Sequence, residues 1–499
     1  MSFRTRFWGK IGVQAKNGAD ANFKKLPALA PAPPVKMVPL EKAWGIPGST
    51  MMIADELPSS VLPMSEKVTQ AVLHALLRVL PNTEQKTRWD KDTATAHLND
   101  IFDGADKVTL WQDWATDEAW ARTFVQGPCA GDLHREGDAW VVDASLFGGV
   151  SHKPGVANLG VKVAVAIDEN GTRPLWIQRH DGTRVTPQDG NWGGARIIAS
   201  AAMQNYVGMV RHVLNLHYIA AQGMSVFVHN HLPWEHPIHR LLWPHVAGTL
   251  RVNWTASRNF VGPHTLGVQN YAFSWEGWQQ LVPAGWKLFR WEEYDIPEVF
   301  KKRGTDELIQ KGLYPYGEDA LLIWGCIEKY VADYLDQYYA DDAALAADKT
   351  LQSGLLAMDA VLPQPIRGAT KAELTRVLTR FIHMVSVEHK LVSGIAYEFF
   401  THPYFFPTTA REGRTAEEAV PYREEAEQNL MFRLAIASEA WRMLEDWTYV
   451  CLDDKGKDAM RRFHASLRAA GKEIEARNTK RKVPFPHLHP DGLETSVAV

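Results

Sequence analysis

Residues 192–222 read WGGARIIASAAMQNYVGMVRHVLNLHYIAAQ, and this stretch decides the fold. From Ala195 to Gln222 it is apolar almost all round, with Ile197, Ile198, Ala201, Met203, Val207, Met209, Val210, Val213, Leu214 and Leu216. A surface helix carries one apolar stripe, so a helix apolar on every side belongs in the middle of a core. His212 and His217 interrupt it, and burying an imidazole costs free energy unless its nitrogens find partners. Five residues apart on a regular α-helix, the two rings sit roughly 140° from one another. Paired ligands for one ion normally sit at i, i+4. A wider turn of the π type would bring them to one face, and such bulges concentrate at functional sites. Two readings stay open: separate structural histidines, or a ligand pair on a π-bulged helix.

A second long helix, Lys371 to Phe400, offers His389 and, four residues on, Ser393, preceded by the apolar run FIHMVSVE. A lone buried histidine is equally read as structural. The C-terminus is unusual in being apolar where chains fray: Leu493-Glu494-Thr495-Ser496-Val497-Ala498-Val499. Its free α-carboxylate, with a pKa near ~3.5, is charged at neutral pH and can be buried only beside a cation or metal. The other reading is a disordered apolar tail.

The rest of the chain frames these helices. With 499 residues, 45% hydrophobic and 22% charged, it can bury a large core. A net charge of −4 gives no field for nucleic acid. Cys129, Cys326 and Cys451 are few, odd in number and far apart, as packed thiols in a reducing compartment would be. Residues 1–16 lack the apolar run of a signal peptide, and no stretch reaches the ~18 apolar residues of a membrane span, so the expected location is cytoplasmic.

Leu26 to Pro47 is rich in proline and alanine, so residues 1–50 read as an extended arm. A first helix is expected from Ser65, with Val68, Val72, Leu76 and Val79 on one face and Pro81 as its stop. Residues 139–183 read as short antiparallel strands with a turn at Asp168-Glu169-Asn170-Gly171. Asp319 to Asp336 and Tyr422 to Leu444 read as further helices. The expectation is one large, mainly α domain over 51–499, built around two long central helices, with a small β subdomain. Seven histidines, at 212, 217, 229, 231, 236, 239 and 245, crowd one short stretch.

Several segments in register then resemble one family. Trp192-Gly193-Gly194-Ala195-Arg196 followed by His212 and His217 resembles the lipoxygenase pattern of a tryptophan-led helix with two iron histidines. His236-Pro237 and Leu241-Leu242-Trp243-Pro244-His245 resemble its HP…LL.PH segment. Trp114, Asp117 and Trp120 with the run to Gly127, the strands Leu159 to Gln178, the helix Tyr316 to Val331 and the ending EIEARN…ETSVAV are similar to four more of its motifs.

The resemblance implies a helical catalytic domain without the family's N-terminal PLAT-type β-barrel, and a non-haem iron, with manganese as the alternative. By position it carries over His212, His217 and His389 as metal ligands, Ser393 as a weak fourth and the carboxylate of Val499 as the last. It implies a metal-bound hydroxide that takes a hydrogen atom from a bis-allylic methylene of a polyunsaturated fatty acid, followed by O2 insertion to a conjugated-diene hydroperoxide. The expected protein is a monomer with peripheral membrane contact at most. Ala256 falls where alanine accompanies S products. Phe260 stands where a leucine commonly packs over the pentadiene. Glutamines usual near the ligands are replaced by Gly208 and Ala396, and a neighbouring arginine by Thr255. His236 and His245 are expected to be structural hydrogen-bonders, and His229, His231 and His239 surface residues. Two alternatives accompany this reading: a hydroperoxide isomerase making epoxy alcohols at the same iron, and a non-catalytic lipid-binding scaffold.

Overall fold

The computed structural model describes residues 25–27, 34–59, 61, 86–101, 115–400, 402–426, 428–429 and 441–498. Two long helical rods occupy its centre, as the apolar stretches require. The first is continuous from Trp192 to His231: α-helical over Trp192–Asn205, π-helical over Tyr206–Ala221 and α-helical again over Gln222–His231. The second starts at a capping box, where the Thr370 side chain accepts from the Glu373 amide and Glu373 returns the bond. It runs through Lys371–His383, two π turns at Met384–Glu388 and Leu391–Ile395, and Ala396–Phe400.

The entry to the first rod is set by its neighbours. Asp117 accepts from Trp192 Nε1 at 3.0 Å and from Arg196 at 2.8 Å. A carboxylate there also suits the positive end of the helix dipole. Trp120, three residues on from Asp117, donates its indole N–H to Ser200 at 2.9 Å. Gly194 is required by space: a Cβ would lie 2.0 Å from the Gly413 carbonyl oxygen.

A third helix, Pro315–Tyr338, contains the expected 319–336 segment and begins with proline in the first turn, where no N–H is missed. Its fully buried Asp319 is neutralised by Arg477 at 3.2 Å and Arg481 at 2.7 Å, which ties it to the helix Asp454–Asn478. The expected β subdomain is a five-stranded antiparallel meander of His134–Glu136, Ala139–Asp143, Lys162–Asp168, Gly171–Gln178 and Arg184–Val185. The three cysteines are free thiols, Cys129 buried. Among the described residues no helix is long and apolar enough to cross a membrane.

The structure departs from the expected arm. Lys36–Pro39 pairs antiparallel with Met52–Glu56, the short helix Leu40–Trp44 lies between them, and Leu40, Trp44 and Ile46 are buried. The Asn230 side chain bonds both the amide (2.7 Å) and carbonyl (2.8 Å) of Val35, and Gln222 does the same for Ala54 (3.1 Å) and Met52 (3.2 Å). The boundary drawn at residue 50 therefore falls between two paired strands. The helix expected over 422–444 is helical at 423–426 and 428–429 but not at 441–444, where Arg442 bridges to Glu494 and the Trp441 carbonyl accepts from Thr495. The helix expected from Ser65, and Trp114, lie outside the described residues.

Candidate metal centre

The π winding of Tyr206–Ala221 resolves the odd spacing. The Nε2 atoms of His212 and His217 lie 3.1 Å apart, and His389 Nε2 lies 3.1 Å from that of His212. The three ligand nitrogens are all within 4.8 Å of one another, the only such trio among the described residues. His389 is fully buried and His217 nearly so, whereas His212 keeps partial exposure. Burial first, and then the neighbouring rings of His217 and His389, push the His212 pKa well below the ordinary histidine value.

The outward nitrogens fix which way the lone pairs point. His217 Nδ1 donates to Asn253 Oδ1 at 2.8 Å, and the amide is oriented by its own Nδ2, which donates to the His217 carbonyl at 2.7 Å. His389 Nδ1 donates to Glu494 Oε2 at 2.5 Å. With Nδ1 protonated in both rings, their Nε2 lone pairs face inward. Neither can donate to the other, and His212 has at most one proton to offer there. A cation between three imidazole nitrogens removes the conflict, and acceptors behind metal-bound histidines are the usual means of holding them. The residues present therefore fit a first-row transition metal bound by nitrogen.

A charged cluster braces the two rods beside these ligands. Arg211, next to His212, donates to Asp132 at 2.8 Å and to Glu388, next to His389, at 2.6 Å. Glu388 also accepts from the Tyr316 hydroxyl at 2.5 Å. Burial opposes the Arg211 charge, but the carboxylates of Asp132 and Glu388 outweigh it and hold the guanidinium protonated. Burial and the adjacent Glu388 push the Tyr316 phenol well up, so it stays a donor.

The C-terminal segment is packed, not loose. Leu493 to Ala498 are all buried. His245 Nδ1 donates to the Thr495 carbonyl at 2.9 Å, and Ser496 donates to that of Ala247 at 2.7 Å. Val499 itself lies outside the described residues. Ser393 sits in the π turn after His389, half-buried. His236 caps the helix Pro237–Val246 through Ile238 and reaches Asp348 at 3.0 Å, so it and His245 serve as hydrogen-bonders. His229 and His231 are half-buried rather than free on the surface, and His239 is buried between Trp234 and Trp243.

Ala256 and Phe260 follow Asn253 by three and seven residues along the helix Thr249–Asn259 and its C-cap, on the face that Asn253 turns toward His217. Phe260 is buried edge-on against Tyr271 and Trp278, both at 5.7 Å. A Cβ at Gly208 would meet the Tyr271 hydroxyl at 2.6 Å. The tyrosine thus fills the space that a side chain at 208 would take. Sequence reasoning missed Asn253, Glu494, Arg211, Glu388 and Tyr271. For Arg211 and Glu388 the signal was a charged residue amid apolar ones, directly before a ligand.

Residues 169–445 match the lipoxygenase family profile. The chain belongs to the lipoxygenase family. It is 26% identical over 312 residues to hydroperoxide isomerase ALOXE3 of Rattus norvegicus, covering 58% of this chain and 44% of that one. To the linoleate 9/13-lipoxygenase of Pseudomonas aeruginosa it is 26% identical over 340 residues, covering 62% and 48%. The matches thus span less than half the length of these curated relatives. The crystal structure of a coral 8R-lipoxygenase shares the fold with a TM-score of 0.80 at 18% identity, covering 93% of this chain and 79% of that one. The lipoxygenase catalytic fold, mainly helical, is therefore the fold of this chain.

Proposed function

We propose that the chain is a fatty-acid dioxygenase that converts a polyunsaturated fatty acid and O2 into a conjugated-diene hydroperoxide of S configuration. The observation that carries this reading is the convergence of His212, His217 and His389 through Nε2, with outward nitrogens fixed on Asn253 and Glu494. The ligand set proposed is these three rings, the terminal carboxylate of Val499 and, loosely, Ser393. When bound, a non-haem iron, or manganese in its place, would supply one-electron oxidation and so allow hydrogen-atom abstraction from a bis-allylic carbon.

The chain's own residues do the rest. Asn253 and Glu494 hold two rings in one tautomer; Arg211 and Glu388 hold the two rods at one spacing. Ala256 leaves room on the face next to His217 for O2 to reach one side of the pentadiene, and Phe260 limits that room. Incubation of metal-replete protein with linoleic and arachidonic acids, following conjugated-diene absorbance and resolving products on a chiral column, tests the proposal. Absence of diene product with either acid, in protein shown to carry about one metal per chain, overturns it.

A second reading, hydroperoxide isomerisation to epoxy alcohols, is favoured by the buried Phe260 and by the name of the rat relative. Turnover of linoleate hydroperoxide without O2, faster than that of linoleate in air, would select it.

A further inference from the structure

The amide that fixes His217 is itself held from two sides. Its Oδ1 and Nδ2 engage His217, and the Asn253 backbone carbonyl accepts from the hydroxyl of Tyr218, the next residue of the rod, at 3.1 Å. Tyr218 is buried in the close-packed interior, so its ring moves only if its neighbours do. One of those neighbours comes from the N-terminal hairpin. Trp44, the last residue of the helix Leu40–Trp44, meets the Tyr218 ring in a T-shaped contact, centroids 4.7 Å apart and planes at 87°. Gly45, at a φ of 65°, ends that helix by donating to the Glu41 carbonyl at 2.9 Å, which fixes where Trp44 stands. The indole N–H is buried with no hydrogen-bond partner among the described residues, so packing rather than a hydrogen bond sets the ring. The hairpin reaches the helix Thr249–Asn259 again at its far end, where Asp55 accepts from Arg258 at 2.6 Å. Those two side chains are 31% and 38% exposed, and an ion pair so open to water contributes little. The contact at Trp44 differs in bearing on the residue that bonds Asn253.

We propose that Trp44 is a positioning residue of the metal centre. From the N-terminal hairpin it fixes the ring of Tyr218, Tyr218 fixes the backbone of Asn253, and Asn253 fixes the tautomer and direction of His217. The proposal rests on the reading of His212, His217 and His389 as metal ligands. Removing the acceptor behind a ligating histidine lowers metal affinity roughly 10- to 100-fold, and Trp44 acts two contacts farther out, so a loss of about three- to tenfold is expected. The hairpin is on this account part of the site's support, although none of its residues touches the metal.

Co2+ titrated into metal-free full-length protein tests this, since nitrogen ligands bind it and its visible absorption bands respond to ligand geometry. Trp44→Leu keeps bulk but loses the ring contact, and should show the weaker Co2+ affinity with shifted bands. Trp44→Phe, which restores an aromatic edge, should bring both back toward the parent. Tyr218→Phe removes only the hydroxyl and should weaken Co2+ to a similar degree; it also decides the matter if Trp44→Leu does not fold. The two changes combined should be no worse than the poorer single, because they break one chain of contacts. Asp55→Asn should leave affinity within about twofold. Parent affinity and spectrum in folded Trp44→Leu or in Tyr218→Phe, no recovery in Trp44→Phe, or losses that multiply in the double variant would overturn the proposal. Diene formation by the iron-loaded protein is measured separately: its absence alongside the expected Co2+ pattern removes the dioxygenase reading and leaves the role of Trp44 standing.

Discussion

Glu494 Oε2 accepts a hydrogen bond from Nδ1 of His389 at 2.5 Å, across 105 residues of chain. One contact thus couples the third imidazole to the buried C-terminal segment, so the metal centre and the seating of that segment depend on each other. Glu494→Gln keeps the size but withdraws the charge that fixes the ring. Metal retention after dialysis against a chelator should drop roughly ten- to a hundredfold. Unchanged retention would show that the ring is held by other means.

Arg211 and Glu388 form the brace between the rods. Arg211→Met strands Glu388 and Asp132 as buried charges and should cost about 3–5 kcal/mol in denaturant unfolding. Glu388→Gln combined with Arg211→Met should cost less than the two singles added, because the double variant removes both members of one pair. Strict additivity would mean that the two side chains do not interact.

Tyr271 overlies Gly208. Gly208→Ala should lower stability by about 1–3 kcal/mol through overpacking. Adding Tyr271→Phe removes the oxygen at 2.6 Å and should recover part of the loss. Thermal melts of the two variants give the comparison, and a double variant no better than the single would place the strain elsewhere.

Ala256 sits one helical turn beyond Asn253. Replacing it with glycine opens space on the face next to His217, and the chiral analysis should turn from mainly S to mainly R product. Retention of S product would remove Ala256 from stereocontrol.

The buried histidines set an acid limit. Burial pushes His245 down to about 4 and His383 and His402 down to about 3. Each is neutral in the fold while the same ring in the unfolded chain takes up a proton below about pH 6.5. The unfolded state therefore binds more protons as pH falls, and stability present above that pH is lost toward pH 4. The slope is up to about 1.4 kcal/mol per pH unit per ring. Denaturant unfolding at a series of pH values checks this, and His383→Leu, if it folds, should show a slope smaller by one proton. A flat profile across that range would contradict it.

The main architecture was legible because it rests on local pattern. All-round apolarity marked the helix from Ala195, the apolar run FIHMVSVE before His389 marked the second rod, and the turn at Asp168–Gly171 announced two strands. The five-residue spacing of His212 and His217 pointed to a π turn, but not to winding over 16 residues, since side-chain pattern does not record turn width. What stayed hidden depends on distant partners. Asn253 meets its histidine across 36 residues, and Val35 meets Asn230 across 195. No local pattern in the proline-rich arm foretells that Val35, just before its strand, is bonded by Asn230 at the far end of the central rod.

The width of the winding at Tyr206–Ala221 also governs which insertions and deletions the gene can tolerate. Loss of one codon between His212 and His217 would leave the rings four apart, a spacing that ordinary α winding already brings to one face. The same loss would rotate everything downstream, turning Gln222 and Asn230 away from Ala54 and Val35. In this protein a length change in that segment is thus a change to the docking of the N-terminal strands, even when both imidazoles survive it.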